Sequence, residues 1–472
     1  MEKNSKYRNL AKNTVWFSAG SFGSKLLSFF LVPLYTSVLT TAEYGVADIL
    51  ATSASLLTYV FTLDIASAVL RFVIGTRENP HRILSYGLRV LLAGSALLAV
   101  LLAGLHMGRA IPWASEWYVF LFLHFFALSL HEILCNYLRA TDRIKETAIS
   151  GILLTAVTVG LNVVLLLGFN MGLTGYLVAV SGGLLASSGY CLWVVHQPLG
   201  KLLLDCCDKR TCRAMRRYSV PLVFNGIAWG LNNSLDKYIV LWLCGAGANG
   251  VLSVAYKIPT LLSVFHSVFA QAWNLSAVKE FDNEDKDGFF ANTYMSYNAV
   301  LVTGCSVLVL LNIPLAKILF AKEFFAAWQY SSVLLLSALF GALSGILGSI
   351  FTAAKDSRVF AVSTVTAVLI NAVLNIVLVR YFGTLGAAAA TAVSFFAIWL
   401  IRLVCTGKYI RWRLDFVKDV FAYLLLTLQI ILEHLPGHGY VGQSIVLAVL
   451  LLLYRKQLLG VFCFLRKSLP KF

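Results

Sequence analysis

Charge is scarce in this chain. Only 13% of its 472 residues are Asp, Glu, Lys or Arg, against about 25% in an ordinary soluble domain. With 59% hydrophobic residues and a mean hydropathy of +0.79, that scarcity excludes a soluble protein with a large core. It indicates a polytopic membrane protein. Paired C-x-x-C spacing is missing: nine cysteines are scattered, at Cys135, Cys191, Cys206, Cys207, Cys212, Cys244, Cys305, Cys405 and Cys463. The run CCDKRTC (206–212) is metal-like only in composition, so no bound metal is expected. Thiols in a cytoplasmic loop stay reduced. The acidic stretch KEFDNEDKDGFF (279–290) lacks calcium-loop spacing and reads as a solvated link. Nucleophile elbow, HExxH, P-loop and dinucleotide fingerprints are all missing. No cofactor and no enzyme activity is expected, and any transport draws on a gradient or on the substrate's own disequilibrium. The formal charge of +16 does not point to nucleic acid, because the basic residues sit in links between apolar spans.

What is present is a series of apolar runs. Fourteen are long enough or nearly so to cross a bilayer, which takes about 20 residues. They lie at 14–39, 45–74, 84–105, 117–138, 147–168, 172–195, 219–243, 250–274, 291–312, 328–352, 359–379, 386–405, 418–434 and 442–459. The first follows a basic lead (Lys3, Lys6, Arg8, Lys12) and is too long for a signal h-region, so it reads as an uncleaved span. With the N-terminus inside, inner links hold 27 of the 38 Lys and Arg. Outer links hold only Arg109, Lys317, Lys322 and Arg380; Lys25, Arg71, Arg89, Lys237, Lys257, Arg402 and Lys418 lie in or at the ends of spans. The asymmetry puts both termini in the cytoplasm.

The halves repeat. AEYGVADI after the first span is echoed by ANGVLSVA after the seventh, and LNVVLLLGFNMGLTGY (161–176) by LNIVLVRYFGTLGAAA (374–389). Six spans per half is an even number, so the repeats share one orientation, with a site expected between halves. The expected fold is all-α: 1–195 an N-terminal six-helix lobe, 196–217 a cytoplasmic linker, 218–405 a C-terminal six-helix lobe, and 406–472 two extra helices with a basic tail. The tail YRKQLLGVFCFLRKSLPKF (454–472) reads either as an amphipathic helix on the anionic leaflet or as a snorkelling end of the last span.

Ionisable groups at bilayer depth face a bundle interior or a wet cavity. Span seven carries Asp236 and Lys237, with Asn225, Trp229, Asn232 and Asp236 on one helical face. The adjoining face holds Gly226, Gly230, Asn233 and Lys237. Span eight carries Lys257, span one Lys25, and span two Asp64 and Arg71; Arg89 is in span three. Lys25, Arg71, Arg89, Lys237 and Lys257 together describe a cationic cavity for an anionic ligand such as a phosphate. The alternatives are internal ion pairs, such as Asp64 with Lys25, and headgroup snorkelling for Arg71 and Arg89. His131 and Glu132 in span four are candidates for a proton relay or for a packed, hydrogen-bonded pair.

The residues AEYGVADIL (42–50), NNSLDKYIVLW (232–242) and GVLSVAYKIPTLL (250–262), with the twelve-plus-two span plan, resemble the polysaccharide repeat-unit flippases. That group shares a superfamily with the multidrug and toxin extruders and the peptidoglycan-precursor flippases. The resemblance implies a flippase moving an undecaprenyl-pyrophosphate-linked oligosaccharide from the inner to the outer leaflet of a bacterial cell membrane. It implies alternating access by two six-helix lobes over a central cationic cavity, with Lys25, Lys237 and Lys257 at positions to hold the pyrophosphate. Implied partners are the lipid-linked substrate, membrane lipids, polysaccharide-assembly proteins, and a proton or sodium ion. Fourteen spans also resemble the peptidoglycan-precursor flippases, but the dense arginine pattern at the start of span one is missing. A cation-drug antiporter needs an acidic cavity, whereas bases outnumber acids here. A membrane polymerase or ligase needs a sizeable external loop, and no external segment exceeds about 15 residues.

Overall fold

The computed structural model describes residues 29–75, 78–108, 112–197, 200, 205, 207–279, 288–354, 356–410, 412 and 415–468. Among the described residues there is no strand, and eighteen α-helices follow one another. Eight helices are long and apolar enough to cross a membrane, or ten if two bent pairs each count as one span. The protein is thus an all-α polytopic membrane protein, as its composition predicts. Contacts divide the chain into two compact units, Met1–Leu235 and Asp236–Phe472.

In the first unit α1 (Val32–Val38), α2 (Thr41–Phe61), α3 (Ile65–Gly75), α4 (Pro80–Met107), α5 (Tyr118–Ala140), α6 (Ile144–Asn162), α7 (Gly172–Val195) and α8 (Lys209–Asn232) follow in order. The AEYG motif is local chemistry. Thr40 caps α2 by accepting from the Glu43 amide (3.2 Å), and Glu43 accepts in return from the Thr40 amide (2.8 Å), a reciprocal capping box. Tyr44 then packs against Tyr35 and Tyr176, whose rings meet edge-on at 4.9 Å. Two apolar cores follow from the inward stripes. One gathers Ile65, Val69, Leu84, Ile133, Leu138 and Met215; the other gathers Ala47, Leu98, Phe125 and Leu173.

The second expected span is not continuous. Leu63 and Asp64 adopt left-handed backbone angles (φ 55° and 47°) between α2 and α3, an expensive conformation for residues with a Cβ. Hydroxyls sit at the break: Thr62 Oγ1 donates to the Thr58 carbonyl (2.7 Å), and Thr58 Oγ1 donates to Ala54 and meets Ser129 Oγ at 3.0 Å. Helix α4 closes on the same point. A Cβ on Gly94 would lie 1.9 Å from the Phe61 carbonyl oxygen, so only glycine permits this approach. The Gly226 and Gly230 face of α8 is likewise a packing face within this unit: a Cβ at either would stand 2.4 Å from Tyr59 or Leu56 of α2. Small residues four apart let two helix backbones approach in this way.

The second unit contains most of α9 (Leu235–Cys244), then α10 (Ala246–Ala255), α11 (Lys257–Lys279), α12 (Phe289–Leu310), α13 (Asn312–Leu319) and α14 (Trp328–Ala353). The run closes with α15 (Ser357–Thr406), α16 (Phe416–Glu433), α17 (Tyr440–Leu453) and α18 (Arg455–Ser468). Helix α15 has 50 residues because two expected spans join at Gly383 (φ 57°, ψ −137°). The chain is so tight there that a Cβ on Gly386 would lie 2.1 Å from the Leu378 carbonyl. Val365, Leu369, Val373 and Ile376 of α15 are each more than half exposed; at steps of 4, 4 and 3 they form one apolar stripe, suited to lipid. A 43° bend at Tyr256 separates α10 from α11. Pro259 explains it: a proline ring clashes with the carbonyl four residues back, here that of Ala255. A 67° bend separates α17 from α18.

Gly94→Ala should lower thermal stability by about 1–3 kcal/mol, the usual penalty for overpacking. An unchanged melting temperature in detergent would show that the Phe61 carbonyl has room to move.

Candidate functional site

Four ionisable residues of the spans, Asp64, Asp236, Lys237 and Lys257, adjoin points where helices break. In the first unit Asp64 occupies the α2–α3 break, 9% exposed, and accepts a hydrogen bond from Ser67 Oγ at 3.0 Å. Glu132 of α5 is within electrostatic reach of Asp64, His131 and Arg139, and Tyr59 of α2 lies within reach of both carboxylates. Two acids and one tyrosine thus lie near one another in this unit, with the exposed Arg139 at the end of α5 within electrostatic reach of Glu132. His131, one residue from Glu132, turns to a different neighbour: its Nε2 sits 3.1 Å from Ser187 Oγ of α7. Ser187 in turn donates to the Ser150 carbonyl at 2.8 Å. Arg71 of α3 is exposed and Arg89 of α4 half-buried.

A second group forms around Tyr256. Asp236 opens α9 and is 3% exposed; it accepts a hydrogen bond from the Tyr256 hydroxyl. Lys237 Nζ lies 5.9 Å from the centre of the Tyr256 ring, within cation–π range. Lys257 is the first residue of α11 and therefore borders the same tyrosine. The break before α9, at Asn233 and Ser234, is closed by a tight turn in which the Ser234 amide donates to Leu231 at 3.2 Å. Asn225 is exposed on α8 and Asn232 ends that helix. Lys25 lies outside the described residues.

Two buried polar groups of the second unit were not singled out from sequence. Arg402 of α15 is 4% exposed and is held by neutral groups: its Nε donates to Ser363 (3.1 Å), Nη1 to the Ser344 carbonyl (2.9 Å) and Nη2 to Thr364 (2.9 Å). The Phe360 ring lies 4.5 Å from its guanidinium. Along α16, three polar residues tie it to the α12–α13 segment. Asn298 donates to Asp419 at 3.0 Å, Ser306 to Gln429 at 2.7 Å, and Asn312 to Glu433 at 2.7 Å. Tyr454 adds a hydrogen bond to Asp419 at 2.8 Å. The signal was legible: positions 419, 422, 426, 429 and 433 recur at steps of 3 and 4 and make one helical face. No group of three or more metal-ligating side chains occurs among the described residues.

A family model described as "Polysaccharide biosynthesis protein" matches residues 10–274. The "Uncharacterized membrane protein MJ1375" of Methanocaldococcus jannaschii is 21% identical over 419 residues, covering 83% of this chain and 97% of that protein. The "Probable low-salt glycan biosynthesis flippase Agl15" of Haloferax volcanii is 22% identical over 219 residues, 45% of this chain and 44% of that protein. Among solved structures, the lipid II flippase MurJ in an inward closed conformation superposes with a TM-score of 0.70 at 14% identity. It covers 94% of this chain and 99% of that one. An inward-facing multidrug resistance transporter of the MATE family gives a TM-score of 0.63 at 12% identity, with 86% and 95% covered. Both structural likenesses concern the fold.

Tyr256→Phe should leave the Asp236 carboxylate short of one donor, a loss of about 1–3 kcal/mol. Combined with Asp236→Asn in a double-mutant cycle of thermal stability, the two changes should be non-additive; simple additivity would show that the contact carries no energy.

Proposed function

The chain belongs to the polysaccharide biosynthesis protein family, and from that premise we propose that it flips a lipid-linked oligosaccharide across a cell membrane. The substrate we assign is an undecaprenyl-pyrophosphate-linked oligosaccharide, moved from the inner to the outer leaflet of the bacterial cytoplasmic membrane. The product feeds cell-surface polysaccharide assembly. Transport proceeds by alternating access through a cationic cavity, with both termini cytoplasmic. The pyrophosphate is bound by Lys25, Lys237 and Lys257, with Arg71 and Arg89 along the path. The lipid tail stays in the bilayer.

The observation that supports this reading most is the coincidence of charge and helix interruption. Apolar spans are broken at Asp64, before Asp236–Lys237 and before Lys257. Discontinuous helices in transporters present side chains and backbone groups to substrates and coupling ions at these points. A lysine ammonium near such a break is a point charge suited to a phosphate. Asp64, Asp236, Glu132 and His131, with Asn225 and Asn232, are the groups assigned to ion coupling by protons or sodium and to lining the path. Family membership and the glycan flippase relative favour an oligosaccharide head group over lipid II or an organic cation.

Each ammonium–phosphate hydrogen bond is worth about 1.5–3 kcal/mol, a factor of roughly ten to a hundred in occupancy. Lys25→Ala, Lys237→Ala and Lys257→Ala combined should abolish surface polysaccharide at unchanged protein level in the membrane. Export that continued in the triple variant would remove the cationic site from the mechanism. Raised drug resistance in a pump-deficient host would favour an antiporter instead.

A further inference from the structure

The first two turns of α8 carry a cationic surface that the transport reading does not use. Lys209, Arg210, Arg213, Arg216 and Arg217 are all exposed. At about 100° per residue they fall within about 120° of helical arc. The opposite side of the same turns is anchored: Met215 and Ser219 are fully buried, and Met215 packs into the core of Ile65, Leu84 and Ile133. The orientation of the cationic face is therefore fixed by packing.

Nothing in the helix itself rewards this arrangement. Like charges three and four residues apart repel. Lys209 and Arg210 stand in the first turn, where the macrodipole disfavours cations. Among the described residues the salt bridges are those of Arg82 with Glu78 and Asp205, so they involve none of these five. Asp208, adjoining the helix start, is itself exposed. A recess of about 350 Å³ runs along the face, lined by Lys209, Arg210, Arg213, Ala214 and Arg217. That volume accommodates a phosphate head group.

The depth of the face identifies the ligand. Helix α8 continues from Arg217 through Pro221 into an apolar segment, where Val220 and Phe224 are exposed at 41% and 73%. Tyr218, 40% exposed, stands at the junction, as aromatic residues do at the membrane–water interface. The cationic turns thus begin where lipid contact ends, at head-group level. We propose that this face is a binding site for the phosphate of an anionic phospholipid in the surrounding bilayer. The site holds the α8 entry at a fixed depth, and the inference does not depend on the identity of any transported substrate.

Purified full-length protein in neutral detergent, titrated with phosphatidylglycerol or phosphatidylcholine and read by native mass spectrometry, tests it. Phosphatidylglycerol should be retained in preference, and added salt should weaken it. A basic residue near the surface contributes about fivefold; Arg210→Gln, Arg213→Gln and Arg217→Gln together should therefore weaken binding by on the order of a hundredfold. The charge-keeping Arg213→Lys/Arg217→Lys pair should retain it, as should Lys317→Gln, an exposed cation of another helix. Equal retention of both lipids, or full retention of phosphatidylglycerol by the triple Gln variant, would overturn the proposal. So would a site that takes inorganic pyrophosphate but not phosphatidylglycerol, since that ligand comes from water.

Discussion

A backbone polar group that faces hydrocarbon without a partner costs several kcal/mol, so a span can break only where the protein replaces the lost hydrogen bonds. The architecture of this chain depends on that constraint. At the α2–α3 break, the Ile65 amide donates to the Thr62 carbonyl and the Ser67 amide to the Asp64 carbonyl, while the Thr58 and Thr62 hydroxyls bond back to helix carbonyls and Ser129 of α5 meets Thr58. At Tyr256 the interruption is limited to one residue, and Pro259 has no amide to satisfy. The unbroken helices present apolar stripes outward. The broken ones bring Asp64, Asp236, Lys237 and Lys257 to points where side chains, and not a continuous ladder, set the local structure.

Cations in this protein divide by what surrounds them. Arg402 is buried among hydroxyls, a carbonyl and an aromatic ring, which disperse its charge and leave it no access to a ligand; its role is to lock the two halves of α15 to α14. Lys237 and Lys257 adjoin a helix interruption beside a carboxylate and a tyrosine, where a charge can exchange partners. The arginines at the start of α8 are exposed on one face of the helix. One residue class thus stands in a buried cage of hydroxyls, beside a helix interruption and on an exposed helix face, and the surroundings of each side chain set what it can do.

Much of this was legible in the chain before its fold. Helix content followed from apolar runs, and the bend at Tyr256 was encoded by Pro259. The AEYG motif reads as a capping box once Glu43 is seen three residues after Thr40. The α2–α3 break was not legible, because Phe61-Thr62-Leu63-Asp64 contains neither proline nor glycine; the break is held by Gly94, 30 residues further on. The Gly226 and Gly230 face read in the sequence only as a small-residue stripe, and in the structure it packs against α2. Small residues suit a cavity wall or a packing face, and spacing cannot choose between them. The polar ladder of α16 was legible in its helical phase, at positions 419, 422, 426, 429 and 433, but the chemistry of its partners on α12 and α13 was not, because those contacts are more than 100 residues away in sequence.

The central claim is that this protein carries a lipid-linked glycan across the bilayer. The most direct measurement is the leaflet distribution of lipid-linked oligosaccharide in cells depleted of the protein, read with a membrane-impermeant glycan probe on intact and on opened cells. The account predicts accumulation accessible only after opening, relieved by restoring the wild-type chain. Lipid-linked oligosaccharide that still reaches the outer leaflet at its normal level, with surface glycan unchanged, would contradict it.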